Sequence, residues 1–123
     1  MHEAAIAERI LEISFRISAE YGNPPIRRIH VQIGELQSVV PEALENAFDA
    51  GKRGTPAHGA QLQWETVPAR VRCGECGREY SPDTVFWVCP VCDGLGGEAL
   101  SGNELTVMEI ELEEDEEQEE ETI

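Results

Sequence analysis

Basic residues are scarce in this chain: nine lysines and arginines stand against 25 acids, which gives a formal net charge of −16. A surface of that sign repels phosphate backbones and anionic lipids, so we expect neither nucleic acid nor a membrane as a partner. Long apolar runs are also missing, because charges interrupt every apolar stretch well short of the roughly 18 residues of a membrane helix. The first residues carry neither the basic nor the apolar block of a secretory signal, and we therefore expect a cytoplasmic protein.

Cysteine occurs only as two pairs, Cys73-x2-Cys76 and Cys89-x2-Cys92, with twelve residues between them. Without an export signal, such pairs indicate a metal site rather than disulfides. Each CxxC can fold into a tight turn whose two sulfurs face one ion, and two turns complete a tetrahedron. We expect Zn(II), which thiolates bind well, in a closed and therefore structural site. A four-thiolate iron site of the rubredoxin type uses similar turns and is the less favoured alternative.

Hydrophobic periodicity predicts two helices and three strands. Apolar residues at helical spacing predict a first helix over residues 4–21, ended by Gly22-Asn23-Pro24-Pro25. A second helix is expected over 42–50, with Pro41 in its first turn and Phe48 on its inner face. Alternating apolar residues predict strands at 29–33, 61–67 and 105–112. In the last of these, Met108, Ile110 and Leu112 alternate with Glu109, Glu111 and Glu113.

The order of these elements predicts an α+β fold, with two helices on a small three-stranded sheet and a four-cysteine zinc ribbon inserted before the last strand. We assign residues 1–68 and 103–112 to the α+β domain, 69–102 to the ribbon and 113–123 to a tail. Residues 113–121 of that tail hold eight acids and no base. The rest of the chain therefore has a formal net charge of −8, half of the total of −16. A like-charge block of this kind is expected to be disordered.

The N-terminus, Met1-His2-Glu3, is a second candidate metal site. A free α-amino group, the deprotonated amide of residue 2 and the His2 imidazole can form adjacent chelate rings around one ion. Such nitrogen-rich, square-planar geometry suits Ni(II) or Cu(II). Taken alone this is weak evidence, because most histidines at this position are simply exposed to solvent. We also expect His30 and His58 at the surface, and Trp87 over the zinc site.

Four features occur here in one order: the N-terminal MHE, the turn Ile33-Gly34-Glu35-Leu36, the Gly54-Thr55 loop followed by Ala57-His58-Gly59-Ala60, and the late four-cysteine ribbon. Together they resemble the HypA/HybF family of hydrogenase nickel-incorporation proteins, over residues 1 to about 112. The resemblance implies that His2 is the indispensable nickel ligand. Glu3 would support it through its backbone or carboxylate, and Met1 through its backbone amine. It also implies that the cysteines are the zinc ligands: Cys73, Cys76, Cys89 and Cys92.

Proteins of this family are nickel metallochaperones. The resemblance implies that this chain works with a nickel-binding GTPase of the HypB type and delivers Ni(II) to the large subunit of [NiFe]-hydrogenase; some members also serve urease maturation. It departs from several relatives, which carry an acid after the Gly-Glu turn, because this chain has Val39-Val40-Pro41 there. Glu42 and Glu35 remain as candidate substitutes.

An enzyme is not expected, because the chain shows no nucleophile–base pair and no phosphate-binding loop. The alternative to a metal carrier is a zinc-ribbon module that binds another protein, with His2 incidental. That alternative predicts zinc binding and no nickel site.

Overall fold

A computed structural model describes residues 2–82, 87–113 and 121–122, and it confirms the α+β fold with the inserted four-cysteine module. Two helices and seven strands lie in these ranges, with a short 3-10 turn at Glu35–Gln37. The elements are α1 (Glu3–Ala19), β1 (Ile26–Gly34), α2 (Pro41–Lys52), β2 (Gln61–Val67), β3 (Arg70–Arg72), β4 (Glu79–Tyr80), β5 (Glu98–Ser101), β6 (Leu105–Leu112) and β7 (Glu121–Thr122).

The first helix buries the stripe that the sequence predicts. Isoleucines at positions 6, 10, 13 and 17 are 5% exposed or less. The helix ends at Ala19, two residues earlier than expected. The chain turns at Gly22 and Asn23, whose φ angles are +88° and +60°. The Ser18 hydroxyl stabilises this turn by donating a hydrogen bond to the Pro24 carbonyl at 2.9 Å.

The main sheet has the strand order β2-β1-β6-β7. β1 pairs parallel with β2 and antiparallel with β6, so it is the central strand of the three predicted ones. It starts earlier than the apolar alternation suggests, because Ile26 pairs with Leu112 and donates its N–H to the Pro56 carbonyl. Both helices pack together, and the core they share with the sheet includes Leu44 and Phe48 from α2.

The apolar alternation at Met108, Ile110 and Leu112 does not bury all three residues equally, because Met108 is not the fully buried residue at its end of β6. Val107 is fully buried instead, and Met108 is half-buried. Glu109 lies opposite His30 and Val107 lies opposite Val31, so Met108 is an extra residue in a β-bulge. A bulge shifts the side-chain alternation by one residue, which a strict period of two does not reveal.

The four-cysteine module has its own small sheet, in the order β4-β3-β5. Val71 and Tyr80 form a second buried cluster there with Cys73 and Cys89, separate from the main core. This grouping agrees with the domain boundaries at 69 and 102, which stay a prediction.

The predicted disordered tail falls largely on residues 114–120 and 123, which lie outside the described residues. Glu121–Thr122 pairs antiparallel with β6, opposite Val107 and Thr106. In the described part of the chain, no helix has the length and apolar character to cross a membrane.

Candidate metal centres

The four cysteines meet in space at the end of the small sheet. Their sulfur atoms all lie within 4.8 Å of one another. The Sγ atoms of Cys73 and Cys92 are 3.6 Å apart, and those of Cys76 and Cys89 are 3.7 Å apart. Zn–S bonds of about 2.3 Å in a tetrahedron place the sulfurs about 3.8 Å apart, whereas a disulfide needs about 2.05 Å. The spacing therefore fits a four-thiolate metal site and excludes disulfide pairs among these residues.

Backbone amides hold the sulfurs of both turns. Glu75 donates its N–H to Cys73 Sγ, and Gly94 donates its N–H to Cys92 Sγ, each at 3.4 Å. The turns close with hydrogen bonds from the Gly77 N–H to the Cys73 carbonyl and from the Asp93 N–H to the Cys89 carbonyl. Both closing residues have positive φ, +77° for Gly77 and +60° for Asp93, which Gly, Asn and Asp tolerate best.

These amides also change the acidity of the thiols. Hydrogen bonds from the N–H groups of Cys76 and Glu75 lower the pKa of Cys73 to about 7. The pKa of Cys92 is raised to about 12: the Gly94 N–H lowers it, but the side-chain hydrogen bond to Cys73 and burial outweigh that. Without a metal ion, Cys73 therefore loses its proton readily, whereas Cys92 beside it keeps its proton, because two adjacent thiolates would repel each other. A divalent cation removes that conflict, because it makes all four thiolates favourable at once.

The module shields one side of this site. Cys73 and Cys89 are buried, whereas Cys76 and Cys92 are exposed. Trp87 is half-buried and packs on the cluster that contains Cys73 and Cys89, as its expected role of covering the site requires. Four sulfurs leave no open position for a substrate, so a metal held here has a structural role.

The N-terminal residues occupy the start of α1. Met1, expected to supply its backbone amine, lies outside the described residues. His2 is exposed at the N-cap position, and its carbonyl accepts the first helical hydrogen bond, from the Ile6 N–H at 2.9 Å. The first amide N–H groups of a helix have no acceptor within the helix backbone, so α1 itself does not use the amide of His2.

Glu3 has a structural partner that the sequence did not reveal. It is only 8% exposed, and its carboxylate accepts a hydrogen bond at 2.9 Å from the Val40 N–H at the start of α2. This bond, followed by one from the backbone N–H of Glu3 itself, lowers the pKa of the Glu3 carboxyl. Glu3 is therefore ionised at neutral pH and ties together the first turns of the two helices.

The turn after β1 joins the α+β domain to the four-cysteine module. Glu35 accepts a hydrogen bond at 3.0 Å from the Ala69 N–H, where the chain enters the module. Leu36 donates its N–H to the Gly102 carbonyl at 2.8 Å, where the chain leaves it. A side chain at Gly34 would collide with the Gly102 backbone. The close approach therefore requires glycine at position 34, and the hydrogen bond to Ala69 requires an acceptor at position 35.

The remaining candidates are apart from these sites. His30 is half-buried on β1, His58 is exposed in the loop before β2, and Glu42 is exposed in the first turn of α2. Within the described part of the chain, no second group of three or more histidine, cysteine or acidic side chains converges as the cysteines do. A nickel site at the N-terminus would thus rely on backbone nitrogens together with His2.

Comparison with known proteins places these features in one family. The family model for HypA, described as hydrogenase/urease nickel incorporation, metallochaperone, matches residues 1–112. The hydrogenase maturation factor HypA of Geobacter sulfurreducens is 42% identical over 113 residues, which cover 92% of this chain and 100% of that protein. The corresponding factor of Geotalea uraniireducens is 38% identical over the same coverage.

Solved structures agree on the fold. The solution structure of the Ni metallochaperone HypA from Helicobacter pylori aligns with a TM-score of 0.63 at 20% identity, covering 91% of this chain and 97% of that chain. A second solution structure, of a HypA protein, aligns with a TM-score of 0.64.

Proposed function

This chain belongs to the HypA family of hydrogenase and urease nickel-incorporation metallochaperones, and from that premise we propose that it binds Ni(II) at its N-terminus and hands the ion on during maturation of [NiFe]-hydrogenase. The observation that carries the proposal is the exposed His2 at the N-cap position of α1. The amine of Met1, the amide nitrogen of residue 2 and the His2 imidazole would form fused chelate rings around the ion. Square-planar nitrogen ligands are those that Ni(II) prefers.

Glu3 supports this site through its backbone rather than as a carboxylate ligand. Its carboxylate already accepts the Val40 N–H. Turning it toward a metal would leave the Val40 N–H without that acceptor. We therefore propose that the Glu3 side chain fixes the first turn of α1 in place, and with it the position of His2 at the N-cap.

Zinc in the four-cysteine site has a different task. Four thiolates at tetrahedral spacing release an ion only when they are protonated or exchanged, which suits a structural metal and not a cargo. Zinc would hold the short strands of the ribbon together around a core of only a few buried side chains. The module then presents a fixed surface to a partner.

Handover needs no bond chemistry in the protein. A carrier releases nickel when the recipient site binds it more tightly, and an exposed terminal site lets the recipient's ligands replace its own one at a time. The partners we assign are the HypB-type nickel-binding GTPase and the hydrogenase large subunit, with urease maturation proteins as further recipients. The cytoplasm is the compartment where we place this exchange.

A titration of Ni(II) into tag-free, zinc-loaded protein tests the proposal. The matched variant is His2→Ala, and both chains are also measured with residues 113–123 deleted, because the acidic tail can hold divalent cations weakly. We expect one nickel per chain at micromolar or tighter affinity in the parent and none in His2→Ala. Equal binding by both, or by neither, would refute the N-terminal site and leave a zinc-ribbon module that binds another protein.

A further inference from the structure

A groove runs between the outer surfaces of α1 and α2, with a volume of about 590 Å³. It belongs to neither metal centre. Its floor is apolar: Leu11 is buried, and Phe15 and Ala47 are half-buried. The residues that line it are Ala4, Glu8, Leu11, Glu12, Phe15, Ala47, Ala50 and Gly51.

Small side chains create this groove. Alanine or glycine occupies every position that α2 contributes to its lining. Added bulk is not tolerated everywhere, since a Cβ at Gly51 would lie 2.9 Å from the Leu11 side chain. The two helices therefore pack closely at the floor while leaving the space above it open, as two helices do where a third can pack against them.

The size of the groove fits a short helix. Ala4 and Phe15, at its two ends along α1, are separated by a helical rise of about 16 Å, at about 1.5 Å per residue. That length corresponds to about three turns of a partner helix, enough for two or three apolar side chains on one face.

Charge selects the kind of partner. Two acids, Glu8 and Glu12, line the groove, and no lysine or arginine does. Glu12 is paired with Arg9 at 2.8 Å, whereas Glu8 is exposed and forms no ion pair with any described residue. A second copy of this acidic face would place carboxylates against carboxylates, which repel. An apolar helix flanked by lysine or arginine complements the surface instead.

The groove also reaches the nickel-binding terminus. Ala4, at its edge, follows His2 by two residues on the same helix. A partner that gives or takes nickel must bring its own ligands next to His2. We propose that the groove docks an amphipathic helix of the nickel-exchanging GTPase, with its apolar ridge on Leu11 and Phe15 and a basic residue facing Glu8. This inference rests on the proposed function and adds where the partner binds.

Two pairs of substitutions in the full-length, zinc-loaded protein test it, with the purified HypB-type GTPase of the same organism as the probe. Ala50→Arg blocks the groove, and its control Asn46→Arg adds the same exposed side chain on α2 outside the lining. Glu8→Lys reverses the charge at the groove, and its control Glu45→Lys reverses an exposed charge elsewhere. All four positions are exposed on helices, where arginine and lysine are good helix formers, so the fold should be retained.

Calorimetry is expected to show binding weakened about tenfold or more by Ala50→Arg and little changed by Asn46→Arg. In the same titrations, Glu8→Lys should weaken binding of the GTPase more than Glu45→Lys does, and that difference in affinity should shrink at high salt. Equal affinities of Ala50→Arg and Asn46→Arg, no binding of the GTPase by the parent, or a parent dimer that Ala50→Arg dissociates would each overturn the docking site. Nickel binding of the same variants, measured separately, tests the N-terminal site independently.

Discussion

Replacing Gly34 by alanine should destabilise the protein at the junction of its two parts. A Cβ at this position would overlap the carbonyl of Gly102 and approach the backbone of Asn103, and neither is a flexible side chain that could move away. The strand end or the crossing segment must therefore shift. Two backbone hydrogen bonds lie directly in the affected region: Gly34 N–H to Glu104 carbonyl at 2.7 Å, and Leu36 N–H to Gly102 carbonyl at 2.8 Å.

The expected loss has two contributions. Forcing an extra methyl group into a packed site costs about 1–3 kcal/mol. Weakening two hydrogen bonds adds about 1–2 kcal/mol, at roughly 0.5–1 kcal/mol for each. We therefore expect the free energy of unfolding to fall by about 2–5 kcal/mol, which corresponds to a Tm lower by roughly 10 °C or more in a domain of this size.

The assay is urea unfolding of zinc-loaded protein followed by circular dichroism, with zinc content measured before each series. Gly59→Ala is the matched control, because a Cβ at Gly59 would meet no atom within 4 Å. Its stability should stay within about 0.5 kcal/mol of the parent. If Gly34→Ala and Gly59→Ala unfolded at the same urea concentration, the argument that glycine is required by this close approach would be wrong.

Three further changes have expected results. Glu3→Gln should keep nickel affinity close to that of the parent while Glu3→Ala lowers it, because only the amide still offers an oxygen to the Val40 N–H; calorimetric nickel titration would contradict this if both variants lost affinity equally. Val107→Ala should cost about 1–3 kcal/mol in chemical denaturation and Met108→Ala clearly less, since the bulge buries only the valine fully. Zinc affinity, measured by chelator competition, should fall as the pH drops, because Cys92 must lose its proton to bind, and it should fall more steeply below about 7, where Cys73 also regains its proton; an affinity that stayed constant down to pH 5 would refute thiolate ligation.

Much of the fold could be predicted because its elements follow local patterns. The isoleucine stripe of α1, the strand Gln61–Val67 and the strand Leu105–Leu112 appear at the expected places. The four cysteines could be grouped from their spacing alone, since a CxxC turn brings two sulfurs together wherever it occurs. Their convergence within 4.8 Å agrees with that grouping.

The bulge at Met108 shows where local patterns fail. The residue alternates correctly with glutamates in the sequence, yet pairing with β1 places Val107 inward instead. Strand register depends on the partner strand, and the paired residues of β1 and β6 are more than seventy positions apart in the chain. A period of two cannot contain that information.

The sequence by itself determined which chemical groups this protein offers: four thiolates at CxxC spacing, a histidine at the second position, and a large excess of acids. These follow from residue types and short-range spacing. Only the tertiary structure decided which polar groups were already engaged. The Glu3 carboxylate accepts the Val40 N–H, and Glu35 accepts the Ala69 N–H, each across more than thirty residues. Such contacts arise when distant segments pack, so they give these two acids structural tasks that no local pattern could assign.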